Sequence, residues 1–174
     1  VIFSHGMGGS REGYSYLGAN WAARGYASLH VQHAGSDSSL WSGNPINMVS
    51  RLQSAANETE AVNRVRDLGF ALDAVLADPQ LAGVIDPSRI LAAGHSYGAN
   101  TALLAAGAEF SRPQGNLTYR DSRILGAIII SAPPFHGEIH PEAVVRPIGI
   151  PTLHITATGD EIRIPCYLSN YQDR

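Results

Sequence analysis

The sequence predicts an α/β fold, a doubly wound, mostly parallel sheet with helices on both faces. Short apolar runs alternate with segments of helical character along the 174 residues, and this alternation is typical of parallel sheets. Two of the apolar runs lead directly into glycine-rich turns, at residues 5–10 and 94–98. Because parallel strands present their carboxyl ends at one edge of the sheet, we expect both turns at the edge where such folds bind ligands.

The predicted elements follow one another in a regular order along the chain. Five strands are predicted, at residues 1–4, 26–32, 90–93, 124–130 and 153–156, and three helices, at residues 14–24, 57–79 and 99–106. The strands at 90–93 and 124–130 lack polar residues, so we expect both of their faces to be buried. Asn57 is the predicted N-cap of the long helix, because Glu60 follows three positions later as in a capping box.

The turn at residues 94–98 has the sequence Gly-His-Ser-Tyr-Gly, which fits the G-x-S-x-G pattern of a nucleophile elbow. In such an elbow a serine occupies a sharp strand-to-helix turn with a strained backbone, and side chains two positions away would collide. Gly94 and Gly98 remove that collision. Serines flanked by glycines also occur in ordinary turns, so it is the preceding strand and the following helix that favour Ser96 as a catalytic nucleophile.

A second glycine-rich turn, residues 5–10, follows the first strand. In serine hydrolases of this architecture one N–H group of the oxyanion hole comes from such a loop, and the other comes from the residue after the nucleophile. The predicted donors are therefore the backbone N–H groups of Met7 and Tyr97. A phosphate-binding loop is the alternative, but the glycine spacing fits neither G-x-G-x-x-G nor a P-loop with its lysine.

The third candidate site residue, Asp160, follows the last predicted strand. A carboxylate there would hold a histidine in the correct tautomer and stabilise the imidazolium that forms when Ser96 loses its proton. The Gly-Asp pair could also simply close a turn, since both residues are common in loops. The chain order, serine before aspartate, favours the catalytic role, with Glu138 and Glu161 as alternative carboxylates.

Together, residues 5–9, 94–98 and 156–160 resemble the α/β-hydrolase fold, and most closely its branch of dienelactone-hydrolase-like and platelet-activating-factor-acetylhydrolase-like esterases. Residues 24–26 and 33–37 resemble that branch as well. The resemblance spans nearly the whole chain. It implies hydrolysis of small-molecule carboxylic esters with short acyl chains, through an acyl-enzyme and without a metal or an organic cofactor. Dienelactone hydrolases themselves use a cysteine nucleophile, whereas here the elbow carries a serine.

The sequence lacks a histidine after the candidate acid. The order in this fold is serine, acid, histidine, yet none of the seven histidines follows Asp160. His95 is expected to turn away from the nucleophile, and His5 to pack in the glycine-rich loop, so neither is a candidate base. We therefore expect residues 1–174 to be a single catalytic core that is incomplete at both ends, with the histidine beyond Arg174.

Two long loops are expected to shape the substrate pocket, because they leave the same edge of the sheet as the candidate catalytic groups. The loop after the second strand contains Trp41, which could contact the substrate or fix the loop in place. The loop after the strand at 124–130 contains Phe135 and His136. With His5, these three side chains are the candidate pocket residues.

Composition argues against several other classes of protein. With 44% hydrophobic and 16% charged residues, the chain has enough apolar residues for a large core and too few charges for a disordered protein. A net charge of −3 provides no basic surface for nucleic acid, and no apolar run reaches the ~20 residues of a membrane span. The single cysteine, Cys166, does not distinguish secretion from a cytoplasmic location, and the sequence does not indicate an oligomeric state.

Other hypotheses for the function stay open at this point. Acyl transfer to an acceptor other than water, and cleavage of an amide, would use the same candidate groups on the same fold. A catalytically silent protein that acts as a binding module is the alternative from another class, and the absent histidine motivates it. A Gly-x-His segment further along the protein would exclude this last hypothesis.

Overall fold

The computed structural model describes residues 1–113, 115–135, 141–164 and 167–169. Its strands are β1 (Ile2–Ser4), β2 (Leu29–Val31), β3 (Ile90–His95), β4 (Glu109–Arg112), β5 (Gly115–Thr118), β6 (Ile124–Ile130), β7 (Thr152–Ile155), β8 (Ile162–Ile164) and β9 (Tyr167–Ser169). Its helices are α1 (Ser15–Ala22), α2 (Met48–Ala55), α3 (Glu58–Ala77), α4 (Tyr97–Ala106) and α5 (Pro141–Val145).

Five strands form the central sheet, in the order β2-β1-β3-β6-β7. Every neighbouring pair in this sheet is parallel, which confirms the predicted parallel architecture. In the register, Ser4 lies beside Gly94, and Ile130 lies beside Ile155. The carboxyl ends of β1, β3, β6 and β7 therefore meet at one edge, because parallel strands all point the same way.

Helices cover both faces of the sheet, as the sequence predicts. The ring of Phe3 contacts Tyr14 and Trp21, at centroid distances of 4.7 and 6.0 Å, so α1 and the turn before it pack on one face. Ile2, the preceding residue, points to the other face and belongs to the main core with Leu68 of α3 and Leu104 of α4. Successive strand residues point to opposite faces, so these contacts define the two layers of helices.

The long helix α3 begins where the capping pattern predicts. The Asn57 side chain accepts a hydrogen bond of 2.8 Å from the Glu60 backbone N–H, which satisfies one of the donors that a helix start leaves without a partner. Val65, Leu68 and Leu72 form an apolar stripe along α3, and all three are buried. Burial of each such side chain contributes about 1.5–3 kcal/mol to stability, so this stripe holds α3 against the sheet and α4.

Other parts of the fold differ from the sequence predictions. Leu125 of β6 is 48% exposed, so the expectation that both faces of this strand are fully buried is wrong. The long loop after β2 contains α2, whose Leu52 and Ala55 form a small core with Leu40. The loop after β6 contains α5. The antiparallel hairpins β4–β5 and β8–β9 were not predicted.

None of the helices in the described ranges combines the length and the apolar character that crossing a bilayer requires. Likewise, the His, Cys, Asp and Glu side chains of the described residues form no group of three or more that is arranged to hold a metal ion.

Candidate active site

Ser96 lies between the last residue of β3 and the first residue of α4. Its backbone angles are φ 54° and ψ −123°, a conformation that costs a non-glycine residue about 1–3 kcal/mol. The surrounding structure holds it there, because the Ser96 N–H donates to the Ile130 carbonyl oxygen at 2.8 Å and the Ala99 N–H donates to the Ser96 carbonyl oxygen at 2.8 Å. Ser96 therefore has the strand–turn–helix setting of a nucleophile elbow.

The two glycines of the elbow are required by space. A Cβ atom on Gly94 would lie 2.0 Å from the Gly98 carbonyl oxygen, and one on Gly98 would lie 2.0 Å from the Ser4 carbonyl oxygen. Both contacts are with main-chain atoms, which cannot move aside as a flexible side chain does. The predicted collision inside the turn is confirmed for Gly94, whereas a Cβ atom on Gly98 would collide with the end of the neighbouring strand β1.

The glycine-rich loop of residues 5–9 lies directly against the elbow. A Cβ atom on Gly6 would be 3.3 Å from the Ser96 Cβ, so the main chain of the loop passes beside the serine side chain. The loop is held by hydrogen bonds from the Gly9 N–H to the Gly6 carbonyl oxygen, at 3.0 Å, and from the Gly8 N–H to the Ser36 carbonyl oxygen, at 2.8 Å.

The two predicted oxyanion donors belong to the two segments that meet here. Met7 lies in the middle of the glycine-rich loop, and Tyr97 is the first residue of α4. Within the described part of the chain, neither backbone N–H donates to another protein group. Both residues are half-buried, so each keeps part of its surface open to solvent.

Trp41 packs on the glycine-rich loop. Its indole N–H donates to the Gly8 carbonyl oxygen at 2.8 Å, and a Cβ atom on Gly8 would lie 2.4 Å from the indole ring. The side chain is nevertheless 55% exposed. Trp41 therefore fixes the loop, as one of its two predicted roles requires, and also leaves apolar surface open to solvent beside Gly8.

The histidines nearest the elbow are held by other partners. The His5 ring is fully buried, its Nδ1–H donates to the Gly6 carbonyl oxygen at 2.7 Å, and its Nε2 accepts from the His33 N–H at 3.2 Å. Burial lowers the pKa of His5, so the ring is a neutral support beneath the loop and lines no open pocket. The Nδ1 atom of His95 lies 2.7 Å from the Tyr14 hydroxyl oxygen.

Beneath the loop lies a group of polar side chains that sequence reasoning missed. We call it the buried polar network; its buried members are Ser4, His33, Ser36, Glu60, Arg64 and Thr101, and Asp67, whose side chain is 43% exposed, lies at its edge. Arg64 is fully buried at the centre of it. The position of Arg64 gave a signal, because it lies three residues after Ala61 and four before Leu68, on the apolar stripe of α3.

Part of the buried polar network repeats the hydrogen-bond order of a catalytic triad. The Ser4 Oγ lies 2.9 Å from His33 Nε2, and His33 Nδ1 lies 2.8 Å from an Asp67 carboxylate oxygen. Both Ser4 and His33 are fully buried, and burial lowers the pKa of His33 to about 4. His33 is therefore neutral at pH 7, donating from Nδ1 to Asp67 and accepting from the Ser4 hydroxyl.

Asp160 lies five residues beyond the end of β7 and is half-buried. Its carboxylate accepts a hydrogen bond of 3.0 Å from the Thr156 hydroxyl, and its N–H donates to the Ala157 carbonyl oxygen at 3.0 Å. Strand β7 is parallel to β3 and separated from it only by β6. Asp160 therefore comes after a strand end at the same edge of the sheet as Ser96. These contacts fit a turn residue and also a carboxylate that the turn holds in a defined orientation.

The candidate pocket residues of the second loop have different outcomes. Phe135 belongs to the main core, where its ring meets Phe110 edge-on at a centroid distance of 5.2 Å. Phe135 is thus a packing residue that presents little surface to a ligand. His136 and the alternative acid Glu138 lie outside the described residues.

A surface groove of about 360 Å³ lies on another part of the molecule. It is bordered by α3, α4 and Ile124, the first residue of β6. Because Ile124 is at the amino end of its strand, the groove lies at the opposite edge of the sheet from Ser96. None of the candidate site residues lines it.

Comparison with known proteins agrees with the parallel α/β fold. Residues 1–165 match the family model described as the alpha/beta hydrolase family. A search of curated proteins finds no significant match. The family match covers the glycine-rich loop, the elbow and Asp160, together with all five strands of the parallel sheet. The chain belongs to the alpha/beta hydrolase family, whose members are generally hydrolytic enzymes.

Proposed function

We propose that the protein is a serine hydrolase that cleaves small-molecule carboxylic esters with short acyl chains through an acyl-enzyme. Within the family, we place it in the branch that contains dienelactone-hydrolase-like and platelet-activating-factor-acetylhydrolase-like esterases. One observation carries the proposal: Ser96, a non-glycine residue, is held at φ 54° between β3 and α4 with the glycine-rich loop against it. This conformation is stored strain at a sheet edge, and such strain is characteristic of functional sites.

The proposed reaction begins with attack of the Ser96 oxygen on the ester carbonyl carbon, while a histidine takes the serine proton. The tetrahedral oxyanion accepts hydrogen bonds from the N–H groups of Met7 and Tyr97, and Asp160 orients the histidine. The carbon–oxygen bond to the alcohol then breaks, and the histidine returns the proton to the departing alcohol. Water repeats the sequence on the acyl-enzyme, releasing the acid and restoring Ser96.

The base of this scheme is proposed to be a histidine beyond Arg174. The histidines nearest Ser96 support this, because His5 uses both ring nitrogens within the fold and His95 pairs with Tyr14. His33 has a serine and an aspartate on its two nitrogens, but that serine is Ser4, which is fully buried. A base with a pKa near 4 is also poorly matched to removing a serine proton at neutral pH.

The test is the intact mass of the purified full-length protein, with the proposed histidine included, before and after treatment with a fluorophosphonate, which traps activated serines. We expect one adduct that maps to Ser96 and is absent from Ser96→Ala. Ser4→Ala is the matched control, because it removes the serine at the end of the neighbouring strand β1 and should leave the adduct in place. An unlabelled protein would contradict the proposal and favour the catalytically silent binding module. For a labelled protein, product analysis with an added alcohol or amine acceptor, and with amide substrates, separates ester hydrolysis from acyl transfer and amide cleavage.

A further inference from the structure

Arg64 is a fully buried cation whose hydrogen bonds reach four different parts of the fold. Its Nε donates to the Thr101 hydroxyl at 3.0 Å, its Nη1 to the Ser36 hydroxyl at 2.6 Å, and its Nη2 to the Ser4 hydroxyl at 3.0 Å and to the His5 carbonyl oxygen. Removing a charged group from water is expensive unless it is paired and hydrogen-bonded. A leucine at this position would continue the apolar stripe of α3. Packing of the helix therefore does not explain why a charged residue is buried here.

The partners of Arg64 lie next to both proposed oxyanion donors. The His5 carbonyl belongs to the glycine-rich loop, two residues before Met7. On the other side, the Arg64 Cζ lies 4.6 Å from the centre of the Tyr97 ring, within the range of a cation–π interaction. A single guanidinium thus touches the two chain segments whose N–H groups must point at the same substrate oxygen.

The guanidinium carries its positive charge at neutral pH. Burial lowers the pKa of Arg64 only to about 10, well above 7. Its charge is compensated inside the fold through Ser36. The Ser36 hydroxyl accepts from Arg64 and donates in turn to a Glu60 carboxylate oxygen at 2.7 Å. Glu60 is itself buried. The planar guanidinium, with its five donors in a fixed geometry, sets the relative position of its partners more strictly than a lysine would.

We propose that Arg64 is a positioning residue that sets the spacing between the Met7 and Tyr97 backbone N–H groups, and so aligns the oxyanion hole for the tetrahedral intermediate. This inference rests on the proposed function. Misplacement of catalytic groups by about 1 Å is enough to lower a rate by about 100-fold. The effect is expected in the transition state, because the oxyanion forms there, and only weakly in the binding of the ester.

The test compares Arg64→Met with Arg66→Met, since Arg66 lies on the same helix and is exposed. Two readouts are measured after circular dichroism has shown each variant to be folded: kcat and KM for an ester, and the inhibition constant of phenylboronic acid, whose tetrahedral serine adduct imitates the oxyanion. For Arg64→Met we expect kcat to fall about 10- to 100-fold and boronate binding to weaken by a similar factor, with KM within about threefold. Arg66→Met should match the wild type in both.

Arg64→Lys is the second variant, for the case in which Arg64→Met does not fold. It retains a cation and an aliphatic stem but loses the planar guanidinium that joins His5, Ser4 and Thr101. It should therefore also lower kcat and weaken boronate binding, with little change in KM. Folded Arg64 variants with wild-type kcat and boronate affinity, whatever their melting temperature, would overturn the inference and leave Arg64 a structural residue. Failure of the proposed function looks different, because then the wild type itself would not be labelled at Ser96, and both proposals would fall together.

Discussion

Two serines stand at the carboxyl ends of neighbouring strands, and their surroundings differ in almost every respect. Ser4 has a histidine at 2.9 Å, which in turn has a carboxylate at 2.8 Å, but the serine and the histidine are fully buried. Ser96 is half-buried, holds a strained backbone and has the glycine-rich loop beside it. The comparison teaches that the hydrogen-bond order of a triad also occurs at a serine that is buried away from any substrate. The proposal for Ser96 therefore rests on its access, its backbone geometry and the glycine-rich loop beside it.

The Ser4 hydroxyl is engaged in hydrogen bonds inside the core. The Ser4 oxygen accepts a hydrogen bond from Arg64, and its proton is donated to His33. The hydroxyl therefore has a partner both as donor and as acceptor within the core. Its partner His33 is kept neutral by burial, which lowers its pKa to about 4. A buried polar network whose members are all satisfied makes a fold rigid and specific. In this molecule the rigid network lies directly beneath the proposed catalytic edge.

Replacing each serine in turn should give the largest difference between the two sites. Ser96→Ala is expected to lower kcat by about a thousandfold or more, because the proposed nucleophile is gone. Ser4→Ala should keep activity within about tenfold but lower the free energy of unfolding by about 1–3 kcal/mol, since Arg64 and His33 lose a buried partner. Ester turnover and urea denaturation measure the two effects. A Ser4 variant that is folded but inactive would reverse the assignment.

The two aspartates provide the second test. Asp160→Asn should lower kcat by about a hundredfold or more, because an amide no longer stabilises the imidazolium. Asp67→Asn should leave kcat within a few-fold, because the asparagine oxygen can still accept from His33 Nδ1–H, which lies at 2.8 Å from the present carboxylate. Steady-state kinetics at several pH values distinguish the two. Normal activity in Asp160→Asn would transfer the role of the acid to Glu161 or Glu138.

Two helix glycines test whether the elbow depends on close main-chain contact. Gly98→Ala should lower the free energy of unfolding by about 3 kcal/mol or more, because its Cβ atom would lie 2.0 Å from the Ser4 carbonyl oxygen. Gly69→Ala is the matched control, since Gly69 lies inside α3 with no atom within 4 Å of the added Cβ. That change should raise stability by about 0.5–1 kcal/mol. Thermal and denaturant unfolding measure both, and equal effects would contradict the explanation.

The pH dependence of stability should report the buried histidine. The folded-state pKa of His33 is about 4 and its usual value is 6.5, so between these pH values the unfolded chain binds a proton that the folded chain excludes. The contribution of His33 to the free energy of unfolding is therefore fully present above pH 6.5. It decreases as the pH falls towards 4, by on the order of 3 kcal/mol.

The matched variant for this prediction is His33→Gln, which cannot titrate. Burial also lowers the pKa of His5 and of His30, so the variant should retain part of the slope and lose the part due to His33. The free energy of unfolding, measured in urea from pH 4.5 to 8, gives both curves. Identical slopes for the variant and the wild type would show that His33 does not carry the effect.

The parts of the fold that could be predicted are those in which short segments determine their own geometry. The apolar run of β3 and the two elbow glycines specify the turn at Ser96, and Asn57 specifies the start of α3. The hairpin β4–β5 was missed although Pro113 and Gly115, whose φ is +119°, are turn residues. Its strands are short and largely polar, so they give no apolar alternation to recognise.

The buried polar network could not be predicted in full because its contacts join residues far apart in the chain. Arg64 and Ser4 are separated by 60 positions, and His33 and Asp67 by 34. The sequence does show an arginine on the apolar stripe of α3, but it does not show which carbonyl or hydroxyl groups the arginine meets. Such partners follow from the strand order, which brings β1 between β2 and β3.

The smallest expected effect comes from Met7, and it separates the main chain of the loop from its side chain. The Met7 side chain packs on Leu40, Leu52 and Ala55, whereas its proposed catalytic contribution is the backbone N–H. Met7→Ala should therefore change kcat and KM by no more than about threefold, while the free energy of unfolding falls by about 1–2 kcal/mol from lost packing. Kinetics and urea unfolding of the same preparation make the comparison. A large loss of kcat with normal stability would mean that the side chain itself shapes the pocket, because the N–H donor is still present in alanine.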